Sequence, residues 1–174
     1  MESLLDTPIA DSYWVIPNKL LAGEYAGQPT EVGAIGRLKR FLDFGITAFI
    51  DLTETTERLH PYDHLLSELQ NYAGKVIYYT RMPIRDQDVP SIEIMKETMS
   101  LIDRLIIDGN TVYVHCWGGI GRTGTVIGCF MKEQWGITGE ESLELIEILR
   151  KNTPDAHWPS PATEAQRNMV LQWV

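Results

Sequence analysis

The sequence predicts an α/β domain with a single central, mostly parallel or mixed sheet of about five strands flanked by helices. Three observations carry that expectation. Apolar stripes of helical period alternate along the chain with short β-branched and aromatic runs, the order that builds a helix-covered sheet. Gly45, Gly74, Gly109 and Gly136 each close an apolar-periodic segment, as helix C-termini do. A glycine-rich turn at 117–121 follows a strand-like run and precedes an apolar helical one, the place where a helix N-terminus meets a ligand.

Taken in order, Tyr13–Ala22, broken by Pro17, reads as a small edge hairpin. Val32, Ile35, Leu38 and Leu42 form a helical stripe before Gly45. Thr47–Leu52 and Val76–Arg81 are strand-like. Ile92, Met95, Met99, Ile102 and Ile106 make a longer helical stripe before Gly109, and Thr111–His115 is a candidate buried strand. Thr125–Met131 is apolar enough for a central helix ending near Gly136. Thr138 and Glu141 make a capping box for a helix carrying Leu143, Ile146 and Leu149. Ser160 followed by Pro161 is expected to open a last helix, with proline in its tolerated first-turn position.

The 174 residues, 44% of them hydrophobic, suffice for one globular domain spanning 1–174, with no repeat or linker. A net charge of −9 and a pI near 4.9 speak against nucleic acid or an anionic membrane as bulk partner. No run approaches the ~20 apolar residues of a membrane span. The opening residues Met1 to Asp6 are acidic and lack the features of a signal peptide. Two cysteines, one needed as a thiolate, point to a reducing, cytoplasmic setting.

Residues 115–124 carry the chemistry: His115, Cys116, Trp117, Gly118, Gly119, Ile120, Gly121, Arg122, Thr123, Gly124. Glycines at 118, 119 and 121 let the backbone turn and aim successive amides at one point. Converging amides at a helix start bind a phosphate-sized anion. Cys116 sits in the same field, which favours a nucleophilic thiolate. Arg122 adds a planar fork able to hold two phosphoryl oxygens at once. A thiolate attacking phosphorus also needs an acid for the departing oxygen, and the segment Met82–Pro90 offers Asp86 and Asp88 between prolines.

His115 adjoins the nucleophile, but neighbouring strand side chains point to opposite faces, so it is expected to face away from substrate and order the loop. Trp117 either packs beside the cleft or is buried. Cys129, thirteen residues past Cys116 and about four helical turns on, lies too far for a disulfide and reads as core. Arg85 is expected to pair with a carboxylate or seat its loop. Glu57, Arg58 and His60 follow the strand ending at Leu52, on a loop at the same sheet end, either lining the substrate cleft or, the preferred reading, solvated. His60, His64 and His157 show no metal-ligand spacing, so no metal is assigned.

The run from His115 to Gly124 resembles the signature loop of the cysteine-dependent protein tyrosine and dual-specificity phosphatases, closest to their compact, cyclin-dependent-kinase-inhibitor-like branch. The resemblance implies a tyrosine-phosphatase-like fold and hydrolysis of phosphomonoesters through a phosphocysteine, without metal or cofactor. Phosphotyrosine of proteins is the first substrate expected, with phosphoserine and phosphothreonine beside it. It further implies Cys116 as nucleophile and residues 117–122 as phosphate cradle. Asp86 matches the acid, with Asp88 second. Thr123 matches the hydroxyl that supports the sulfur, and Gln166 of Thr163-Glu164-Ala165-Gln166 matches a residue that positions water. The alternatives are an inositol phosphate or phosphoinositide as substrate, disfavoured by a loop without lysine, and a non-catalytic phosphate-binding module.

Overall fold

The computed structural model describes residues 6–174; Met1–Leu5, on which the signal-peptide expectation largely rests, lie outside the described residues. Five strands form one sheet in the order β1-β2-β5-β3-β4. They are β1 (Ser12–Ile16), β2 (Leu20–Gly23), β3 (Ile46–Asp51), β4 (Tyr78–Arg81) and β5 (Thr111–His115). The hairpin β1–β2 is antiparallel; every other pairing is parallel. The sheet is therefore mixed, with the expected hairpin as its edge.

Seven helices cover it: α1 (Glu31–Asp43), α2 (Asp63–Glu68), α3 (Gln70–Ala73), α4 (Ile92–Ile107), α5 (Gly121–Trp135), α6 (Gly139–Arg150) and α7 (Glu164–Gln172). Period-two alternation in the strands splits the core in two. Val112 and Val114 of β5 face the side packed by α4 to α7, with Met95, Ile102, Ile127 and Ile146. Tyr113 faces the other side, with Leu38 and Phe41 of α1 and Leu65 and Leu66 of α2.

Several boundaries differ from expectation. α1 buries Ala34, Leu38, Phe41 and Leu42, while Val32 lies in its first turn and is exposed. The strand expected from Val76 begins at Tyr78, because the pairing with β3 opens only there, opposite Ala48. α2 and α3 occupy a stretch too short for a full helical stripe, and Gly74 ends α3 in the left-handed region, φ 63°. The last helix starts at Glu164. The Ser160 hydroxyl donates to the Ile120 carbonyl at 2.7 Å instead of capping a helix, and Thr163 forms the capping box with Gln166. The capping box at Thr138 and Glu141 is present as read.

Candidate active site

Parallel pairing brings one end of four strands to the same edge. Gly23, Asp51 and His115 lie side by side in register, with Arg81 beside Asp51. The loops that follow β2, β3, β4 and β5 therefore converge beyond the carboxyl ends of the strands, where ligands bind in open α/β sheets. They are tied to one another: Leu52 N–H donates to the His115 carbonyl, Ile84 N–H to that of Leu52, and Tyr25 N–H to that of Trp117.

The loop 116–120 leads straight into α5. Ile120 occupies the N-cap and provides no side-chain cap, whereas α1, α4, α6 and α7 are each capped by Thr or Ser. The first amides of α5 thus lack the side-chain partner that other helices here receive, and the dipole adds positive potential. Gly119 has φ 72°, and a Cβ there would fall 2.3 Å from the Gly23 carbonyl carbon, so only glycine closes the loop against β2. Cys116 is buried at the floor of a cleft of about 350 Å³ whose wall includes Asp86, Trp117, Arg122 and Gln166. The Thr123 hydroxyl donates to the Cys116 sulfur at 3.1 Å.

Arg122 is 1% exposed; both its terminal nitrogens have protein partners, and its Nε has none among the described residues. Its Nη1 and Nη2 meet the two Glu57 carboxylate oxygens at 2.5 and 3.0 Å; Nη1 also donates to the Ile84 carbonyl at 3.0 Å. Asp86 Oδ1 stands 3.2 Å from Nη2. Burial alone would raise the Glu57 carboxyl above its ordinary value, but the hydrogen bonds and charge of Arg122 outweigh it and hold Glu57 below that value. Glu57 was expected on a solvated loop, and this is corrected: it anchors the arginine. A carboxylate six residues past a strand end carries no pattern that separates it from surface charge. The sheet register brings its loop over α5, and Arg81, donating to the Thr53 carbonyl at 2.8 Å, helps hold it there.

The loop after β4 separates the two acid candidates. Asp86 lines the cleft beside Arg122. The Asp88 carboxylate turns back to its neighbour, accepting from Val89 N–H at 2.8 Å. Arg85 is exposed and forms no ion pair among the described residues, while its carbonyl accepts from Asp88 N–H at 3.1 Å within the loop. Gln166 is buried in the cleft wall with both ends of its amide committed. Its Oε1 accepts from Thr163 N–H at 3.1 Å, and its Nε2 donates to the Asp88 carbonyl at 3.1 Å. It therefore joins the loop that carries Asp86 and Asp88 to the first turn of α7.

His115 points away from the cleft, as strand alternation predicts, and stacks beside Tyr113 at 5.4 Å between ring centroids. Its Nδ1 lies 3.0 Å from the Cys116 carbonyl, which can only accept, so Nδ1 carries a hydrogen. Nε2 then accepts from the Tyr62 hydroxyl at 2.5 Å in a neutral ring. Burial pushes the imidazole below its ordinary value of 6.5, with Asp51 opposing, and neutrality agrees with the bonding. Cys129 is buried in α5, where burial pushes its thiol up to about 12. Both cysteines are free. Among the described residues no group of His, Cys, Asp or Glu is arranged to hold a metal ion, and no helix is long and apolar enough to cross a membrane.

The structure thus gathers Cys116, Trp117, Gly118, Ile120, Gly121, Arg122, Asp86 and Gln166 around one cleft, with Thr123 bonded to the sulfur and Gly119 packed against Gly23, and leaves Asp88 and His115 outside it. Trp117, for which both burial and cleft were open, stands 53% exposed at the rim.

Sheet order and cleft together define the class of cysteine-dependent phosphatase domains. Residues 26–134 match the family described as "Polymorphic toxin system, DSP-PTPase phosphatase", and the chain belongs to that family. Among curated relatives, a protein of Invertebrate iridescent virus 3 bearing a tyrosine phosphatase name (067L) is 30% identical over 132 residues, 69% of this chain and 51% of that protein. Dual specificity protein phosphatase CDC14B of Mus musculus is 32% identical over 147 residues, 80% of this chain and 28% of that protein. The chain therefore spans about half or less of the length of these relatives. The crystal structure of Tk-PTP in its active form shares the fold, with a TM-score of 0.67, 20% identity and coverage of 92% and 93% of the two chains.

Proposed function

We propose that this chain hydrolyses phosphomonoesters, protein phosphotyrosine first and phosphoserine or phosphothreonine after it, through a phosphocysteine on Cys116. The observation that carries the reading is the shared cleft: the Cys116 sulfur on its floor, the uncapped start of α5 behind it, and Arg122 with Asp86 at its side.

In this reading the Cys116 thiolate attacks phosphorus in line, forming the S–P bond as the P–O bond to the leaving group breaks. Asp86 gives its proton to the departing oxygen. A water then attacks the phosphocysteine, Asp86 takes a proton from it, and the S–P bond breaks to release inorganic phosphate. The amides of residues 117–122 and the Nε and Nη2 edge of Arg122, with Asp86 turned from Nη2 to the leaving group, hold the equatorial oxygens, where charge must be stabilised. Thr123 donates to the sulfur and supports it as the leaving thiolate. The committed amide of Gln166 favours a role in seating the acid loop alongside any hold on water. Two free cysteines suit a reducing compartment such as the cytoplasm.

The test is phosphate release from phosphotyrosine, phosphoserine and phosphothreonine peptides, inositol phosphates and phosphoinositides, with Cys116→Ser as blank. Faster release from phosphopeptides is expected. Preference for inositols or lipids would replace the protein substrate, and silence from folded, reduced protein would leave a phosphate-binding module.

A further inference from the structure

Arg122 takes its partners from two loops. Glu57 lies on the loop after β3, while the Ile84 carbonyl and Asp86 lie on the loop after β4. The last residues of those strands, Asp51 and Arg81, stand opposite one another in register. Their side chains meet as well, with Asp51 Oδ2 at 3.3 Å from Arg81 Nη2. Both loops that hold the arginine therefore leave the sheet from a single ion pair.

Asp51 is wholly buried, and hydrogen-bond donors surround its carboxylate. Oδ1 accepts from the Thr53 amide at 2.8 Å and from the Thr53 hydroxyl at 2.6 Å; Oδ2 accepts from the Tyr79 hydroxyl at 2.8 Å. Arg81 Nη1 donates to the Thr53 carbonyl at 2.8 Å and to the Thr53 hydroxyl oxygen at 2.9 Å. Thr53 is thus fixed at its amide, hydroxyl and carbonyl just beyond the strand. The hold passes outward: Glu54 N–H donates at 2.8 Å to Glu57 Oε1, the oxygen that meets Arg122 Nη1. On the other loop, Met82 N–H donates to the Asp51 carbonyl and Ile84 N–H to the Leu52 carbonyl, both at 2.9 Å. A buried ion pair is often no more stabilising than an apolar pair of similar volume, so its place at the root of both loops points to geometry instead.

We infer that Asp51 and Arg81 are positioning residues for Arg122. Acting through Thr53, Glu54 and Glu57 on one loop and Ile84 on the other, they set the plane in which the guanidinium meets the phosphoryl oxygens. Neither residue lines the cleft over Cys116. The inference rests on the phosphatase reading above and adds the residues that tune its hold on the oxyanion. A misplacement of about 1 Å at a reacting centre can cost about 10²-fold in rate, so small slack at Thr53 is felt in the cleft.

The experiment measures kcat/KM on a phosphotyrosine peptide for the wild type, Asp51→Asn, Glu57→Gln and the double variant. Asp51→Asn keeps the side-chain volume and removes the charge that holds Arg81. It is expected to lower kcat/KM about tenfold alone and about threefold or less in the Glu57→Gln background, where the route through Glu57 is already cut. A loss as large in the Glu57→Gln background as in the wild type, or no loss in either, overturns the inference. Should Asp51→Asn fail to fold, Arg81→Gln takes its place in the same cycle, with the same outcomes. Arg81→Lys should recover part of the Arg81→Gln loss, because lysine keeps the charge but cannot span Asp51 and the Thr53 carbonyl as the fork does. If the wild type releases no phosphate, the phosphatase reading fails. The positioning is then decided by heteronuclear NMR of the Arg122 guanidinium, whose signals are assigned by their loss in Arg122→Lys. Separate Nη1 and Nη2 signals in the wild type that merge in Asp51→Asn uphold it, and signals unchanged by Asp51→Asn overturn it.

Discussion

Glu57 grips Arg122 through both carboxylate oxygens, at 2.5 and 3.0 Å, in a contact where the guanidinium is almost wholly buried. The plane of the fork is thereby set before any oxyanion arrives. Preorganisation of this kind matters because a fork that must find its orientation during reaction stabilises the transition state less.

Glu57→Gln is expected to lower kcat/KM about tenfold or more, and Arg122→Lys about a hundredfold or more, because lysine keeps the charge and loses the fork. The Glu57 carboxyl lies below its ordinary 4.5 in the folded protein. Its contribution to stability is therefore complete above that pH and is lost as pH falls through the folded value. Urea denaturation of wild type and Glu57→Gln should show a gap at pH 7 that closes on acidification below 4.5. A gap independent of pH would contradict the ion pair.

Asp86→Asn is expected to slow hydrolysis of substrates with poor leaving groups by about 10²-fold or more, and of activated aryl phosphates much less. Asp88→Asn should keep near-wild-type rates, since its carboxylate turns back to Val89 N–H. Rates across a series of aryl phosphates decide between them: a steeper leaving-group dependence in the Asp88 variant would move the acid by two residues.

His115 is neutral and buried, with its imidazole pushed below 6.5. The unfolded chain binds a proton there more readily than the folded one, so stability is full above pH 6.5 and declines as pH falls below it. The slope approaches about 1.4 kcal/mol per pH unit while only the unfolded form is protonated. His115→Asn should remove this component of the slope between pH 6.5 and 5.5, read by urea denaturation. An unchanged slope would show that other groups set it.

Iodoacetate at neutral pH is expected to modify Cys116 once and spare Cys129, whose thiol burial pushes up to about 12. Phosphate or arsenate in the cleft should protect Cys116. Peptide mass mapping checks both statements, and faster labelling at Cys129 would contradict them.

Much of this architecture is written locally. The alternation of stripes and β-branched runs yields β3, β5, α4 and α5, because each depends on residues a few positions apart. The loop at 116–122 is legible for the same reason: cysteine, glycines and arginine are contiguous. Glu57 was not legible, since its role depends on parallel register placing the β3 loop over α5, a contact across 65 positions. The start of the last helix was misplaced because Ser160-Pro161 carries a correct local signal that the Ile120 carbonyl overrides from forty residues away. Asp86 and Asp88 were separable in the sequence only through resemblance, and the structure sends their carboxylates in different directions, one toward Arg122 and one back to Val89 N–H.

The two-ended amide of Gln166 makes the order of α7 a property of the chemistry. Its Oε1 caps the helix while its Nε2 holds the Asp86 loop at the Asp88 carbonyl, so one side chain reports the state of each to the other. Helix ends fray well before sheets unfold. Warming should therefore erode proton donation to the leaving group while the sheet and the cysteine loop still stand, a thermal ceiling on turnover set below the melting point of the fold.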